Sequence, residues 1–195
     1  MNSLAFRTRR AVGLGARECC SRQGGSIVEL VVAVAVIMAG LLAFSRAMTE
    51  SLALGAQNRQ TALATAAAQG IVEELYAADI GRVFALYNDE PDDDPDGSGT
   101  APGARFTAAG LLARPQDNGW QGKIFFPTKD GSPSELREDL IDSKLRVPLD
   151  LNLDGGLDDL DHSGDYRILP VLIRVAWQDG RDERELEVTT ILGAR

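Results

Sequence analysis

Residues 24–44 read GGSIVELVVAVAVIMAGLLAF. Leu30 to Phe44 carries no charge, and the apolar stretch beginning at Gly25 runs for about 20 residues, the length of an α-helix that crosses a bilayer. Only Glu29 interrupts it. A carboxylate inside a membrane helix is expensive and marks a functional position, unless it sits at the interface and snorkels to water. The flanks set the orientation. Residues 1–24 hold Arg7, Arg9, Arg10, Arg17 and Arg22 against the single acid Glu18. The rest of the chain holds 15 basic and 28 acidic residues, about −13 in net charge. A basic head, an apolar segment and an acidic body are the asymmetry of an inserted protein whose head stays in the cytoplasm. The acidic body excludes a nucleic-acid partner, which requires a basic footprint.

A secretory signal places its small-residue cleavage site after the apolar region. Here the small residues, Gln23-Gly24-Gly25-Ser26, come before it. Both cysteines, Cys19 and Cys20, lie in the basic head, so a chain that loses the head has no thiol, as suits an exported protein. No apolar run precedes Cys19, which excludes a lipoprotein signal.

The run Gly24-Gly25-Ser26-Ile27-Val28-Glu29-Leu30-Val31 resembles the class III signal of type IV pilins and type II secretion pseudopilins. That resemblance covers about the first 55 residues. It implies a leader over residues 1–24, cut between Gly24 and Gly25 by a prepilin peptidase. It also implies a transmembrane and filament-core helix over 25–45, and a periplasmic or extracellular domain over 46–195. Glu29 would be the fifth residue of the mature chain. Cutting after Gly25 would make it the fourth. Gly25 stands where the family has Phe or Met, so its methylation is less firmly implied than the cleavage. In a filament, the new amine of Gly25 would meet the Glu29 carboxylate of a neighbouring subunit. At low dielectric each charge relieves the burial cost of the other, so the pair acts as a register device.

The helical pattern continues past the membrane length. No proline occurs from Ser45 to Ala78, good helix formers dominate, and Leu52, Ala56, Leu63, Ala67, Ile71 and Leu75 form an amphipathic stripe. The spacing predicts one helix of about 50 residues, about 75 Å long. Residues 88–103, NDEPDDDPDGSGTAPG, predict a mobile loop. Trp120–Phe126 predicts a strand, and Ser134–Ile141 a short helix. Tyr166–Trp177 and Glu183–Leu192, joined through Asp179-Gly180, predict an antiparallel hairpin. That hairpin resembles the C-terminal one of minor pilins and pseudopilins of the I/V kind. The fold class expected is α+β: a long N-terminal helix, half anchor and half amphipathic, on a small antiparallel sheet.

Residues 150–161 read DLNLDGGLDDLD. Asp150, Asn152, Asp154, Gly155, Asp158 and Asp161 occupy positions 1, 3, 5, 6, 9 and 12 of a calcium loop, with the Gly156 carbonyl at position 7. Calcium takes six to eight oxygens, and alternating side chains with a turn-permitting glycine can wrap one ion. The other reading is a solvated acidic loop, since turns favour Asp and Gly. Position 12 is Asp rather than the usual Glu, as in calcium loops of extracellular dockerin-type modules. The Asp92, Asp93, Asp94 and Asp96 cluster has no such spacing.

The single histidine, His162, lies among acids in a loop and reads as a surface residue, because sequence neighbours do not make a catalytic triad. No phosphate-binding loop or zinc-type cluster appears. Two functions remain. One is a non-enzymatic minor pilin or minor pseudopilin, a subunit of a type IV pilus or secretion pseudopilus in the inner membrane, whose partners are other such subunits. The alternative is a membrane-anchored, calcium-dependent binding module that does not polymerise.

Overall fold

Fifty-one residues with no proline hold a single helix, α1, from Ile27 to Ala77. The computed structural model describes residues 26–180 and 182–193. Cys19, Cys20, the expected cleavage pair Gly24 and Gly25, and the rest of residues 1–25 lie outside the described residues. The chain divides into two units, Met1–Thr49 and Glu50–Arg195.

The first unit is the opening half of α1. It is capped by Ser26, whose Oγ accepts the N–H of Val28 at 3.3 Å. Its side chains from Ile27 to Phe44 are exposed, including Leu30, Ile37, Leu42 and Phe44. This helix is long and apolar enough to cross a membrane. Ser45 donates to the Leu41 carbonyl and Thr49 to that of Arg46, so these hydroxyls are satisfied within the helix.

The second unit begins on the same helix and buries its stripe late. Leu52 remains 69 % exposed, whereas Ala64, Ala68 and Leu75 are buried and Leu63, Ala67 and Ile71 pack around them. The expected stripe is thus covered from Leu63 onward, and Ala64 and Ala68 are fully buried in the core that β5 shares. Asp79 caps a second helix, α2 (Ile80–Tyr87), by accepting the Gly81 N–H.

Strands β1 (Arg105–Phe106), β2 (Gly122–Phe125), β5 (Ile168–Asp179) and β6 (Asp182–Gly193) form an antiparallel sheet in the order β1-β2-β5-β6. β5 and β6 pair along their full length, from Ile168↔Gly193 to Asp179↔Asp182, as the hairpin pattern predicts. β5 is apolar on both faces because both are covered. Leu169, Val171, Ile173, Val175 and Trp177 join the core with α1 and α2, while Leu172 packs with Leu145 and Val147 on the other side. Gly122 is required where it stands. A Cβ there would lie 2.1 Å from the Phe106 ring.

Ser134–Ile141 is not helical. Strand β4 (Ser132–Leu136) pairs with β3 (Thr128–Lys129) across an Asp130-Gly131 turn. An isolated eight-residue helix is marginal. The Asp-Gly turn, with Gly131 at φ +81°, closes a hairpin instead. Residues 88–103 fold into turns tied by side chains: Asn88 donates to Asp93, Ser98 to Asp92, and Arg82 grips both oxygens of Asp96.

Candidate metal centre

The segment after β4 sets the first group of the site. Glu138 is 1 % exposed, two residues beyond Leu136, which is fully buried. Burying a carboxylate is tolerable only when it is hydrogen-bonded or paired. Its Oε1 accepts the backbone N–H of Leu151 at 2.5 Å and of Asn152 at 3.2 Å. Its side-chain hydrogen bonds among the described residues run through that oxygen, and Oε2 points toward His162 Nε2 at 3.7 Å.

His162 is buried, 3 % exposed, which corrects the surface position expected from its acidic neighbours. Its backbone N–H is tied to the Leu136 carbonyl, so the loop is folded back onto the β3–β4 hairpin. Nε2 lies 3.1 Å from Asp158 Oδ1, and Nδ1 lies 3.0 Å from Asp165 Oδ1. Burial alone would lower the His162 pKa. The hydrogen bonds to Asp158 and Asp165 and the Glu138 charge outweigh it, so the pKa is raised. The Asp158 pKa is lowered, first by the Leu160 N–H it accepts and then by His162.

Glu138, Asp158 and His162 each offer one ligand atom, all within 4.8 Å of one another, a grouping that could hold a metal ion. The expected calcium ligands are distributed differently. Asp150 turns inward on its own loop, accepting the N–H groups of Leu153, Asp154 and Gly155. Asn152 donates to Asp154 at 3.2 Å, so positions 3 and 5 face each other. The N–H of Gly156 is held by Asp154 Oδ1. Asp158 is directed at His162, and Asp161 at the Leu136 N–H and at Ser163. Asp158 Oδ1 and both Asp161 oxygens are thus engaged by protein partners.

No family model, curated protein or solved structure matches the chain. The site therefore has to be read from its own chemistry. The acidic spacing singles out Asp158 but not Glu138, which lies 20 residues upstream with no motif around it. Its one legible signal is the alternation of Leu136, Glu138 and Leu140, which places a carboxylate among apolar residues.

At the other end of the chain, Glu29 is exposed in the first turn of α1. A carboxylate there is stabilised by the helix dipole, yet its neighbours Ile27, Val28, Leu30 and Val31 are apolar and exposed.

Proposed function

We propose that this protein is a minor pilin or minor pseudopilin, anchored in the inner membrane and assembled with other pilin-like subunits. One observation carries the reading. A lone carboxylate, Glu29, stands in the first turn of a helix whose other side chains up to Phe44 are apolar or small and exposed. Such a surface requires lipid or other apolar helices around it. A single buried charge in that setting requires a partner, which the amine of a chain beginning at Gly25 supplies. The amphipathic continuation of the helix on an antiparallel sheet supports the same layout. Mass spectrometry of protein extracted from membranes is expected to show a chain that starts at Gly25. A mature chain that retains Cys19 and Cys20 sinks the proposal. Glu29→Ala is expected to leave cleavage intact and to abolish copurification with pilin-like partners. If that variant copurifies like the wild type, Glu29 has no register role.

A second reading is calcium in the acidic loop, supported by the approach of Asp150, Asn152 and Asp154 to one another, with Asp158 turning from His162 to join them. Calcium there would relieve carboxylate repulsion and raise the melting temperature of the detergent-solubilised chain by mass action. Identical melting in millimolar calcium and in metal-free buffer removes calcium from this loop.

A further inference from the structure

We propose that His162 Nε2, Glu138 Oε2 and Asp158 Oδ1 form a three-ligand site for a zinc-class divalent cation, with Asp165 as the positioning residue for the imidazole. The first argument is geometric. Tetrahedral zinc with bonds of about 2.0–2.1 Å needs ligand atoms about 3.3 Å apart. Nε2 is 3.1 Å from Asp158 Oδ1 and 3.7 Å from Glu138 Oε2. All three ligand atoms lie within 4.8 Å of one another. Small adjustments would bring them onto one ion.

The second argument is that the ligands are already oriented. Glu138 is fixed through Oε1 by the Leu151 and Asn152 N–H groups, which aims Oε2 at the imidazole. His162 presents Nδ1 to Asp165 at 3.0 Å. A carboxylate on the far nitrogen fixes the tautomer that leaves Nε2 as the ligand, the arrangement usual for metal-bound histidine. Both Glu138 and His162 are more than nine-tenths buried. Asp158 is partly exposed, which leaves the open side needed for metal entry and for a fourth, solvent ligand.

The donor set selects the cation. An imidazole nitrogen with two carboxylates suits zinc and its neighbours, whereas calcium and magnesium favour all-oxygen shells with more ligands. On binding, Nε2 gives up to solvent any proton it shares with Asp158, and the cation takes that proton's place between the two groups.

His162 is the only histidine in the chain, so one imidazole reports on the site. The test uses the full chain in detergent, purified without a histidine tag and with Cys19 and Cys20 alkylated to remove competing thiols. Zinc is titrated while the two imidazole nitrogens are followed by ¹⁵N NMR. The expected result is a saturable shift of Nε2 with zinc at concentrations where calcium and magnesium leave it unmoved. Asp165→Asn is expected to weaken zinc binding by about 10- to 100-fold. Asp159→Asn, a neighbouring exposed acid, is expected to leave it unchanged. An Nε2 signal that excess zinc does not move overturns the proposal. So does zinc affinity equal to wild type in both His162→Gln and Asp165→Asn. The wild-type spectrum decides the matter even if a variant fails to fold. Neither result bears on cleavage or assembly.

Discussion

Trp177→Ala is expected to destabilise the 50–195 unit by about 3–5 kcal/mol, the range for removing a large aromatic from a core. Trp177 is 2 % exposed and lies on the β5 face that meets α1. Its removal opens a cavity that β5 cannot collapse to fill, because the strand is held on one side by β6 and on the other by the Gln121 and Leu112 carbonyls, which accept the N–H groups of Ala176 and Gln178. A polar loss adds to the apolar one. Trp177 Nε1–H donates to Gln60 Oε1 at 3.1 Å, and Gln60 in turn donates to Asp179 at 3.3 Å. This chain of hydrogen bonds ties the amphipathic part of the helix to the end of the hairpin. Trp177→Phe separates the two contributions. It keeps most of the packing and loses the N–H, so it is expected to cost less than Trp177→Ala, the hydrogen bond itself accounting for about 1 kcal/mol. Denaturant unfolding of the detergent-solubilised chain, followed by circular dichroism, measures both. A Trp177→Ala midpoint equal to that of the wild type contradicts helix docking through this residue.

Glu138→Ala is expected to cost about 3 kcal/mol without any metal present. Two backbone N–H groups, those of Leu151 and Asn152, lose their acceptor, and an unsatisfied buried donor costs about 1–3 kcal/mol. Leu151 is fully buried, so water does not replace the carboxylate at its N–H without disturbing the core. The loss is offset in part because burying a carboxylate is itself unfavourable. Glu138→Gln keeps one carbonyl oxygen for the two N–H groups and is expected to retain most of the stability. The same unfolding measurement compares the pair. Equal stability of Glu138→Ala and wild type means that Glu138 does not anchor the 150–152 segment. Its position matters beyond stability, because the acceptor that pins Leu151 is the same side chain that faces His162.

What was legible from the amino-acid order was governed by local rules. The uncharged run from Leu30 to Phe44, the absence of proline to Ala78 and the helix-forming composition dictate a single long helix, and Ile27–Ala77 is helical throughout. The Asp179-Gly180 turn between two β-rich runs dictates a hairpin, and β5 and β6 pair in that register. These features depend on neighbours a few residues apart. Ser134–Ile141 carries only weak helical signals. Pairing with Thr128–Lys129 across Asp130-Gly131 gives its backbone partners that an eight-residue helix lacks. Leu52 and Ala56 fit the helical stripe by spacing, but burial depends on what lies opposite, and they are exposed. The candidate metal centre shows the same division most clearly. The acidic spacing of 150–161 is written in the sequence and singles out Asp158. Only tertiary structure turns Asp158 toward His162, buries that histidine and brings Glu138 to it from the segment after β4. Spacing along one loop cannot express that meeting, because chain folding sets the distance between Glu138 and His162. The N–H groups of Leu151 and Asn152 hold Glu138 where it stands.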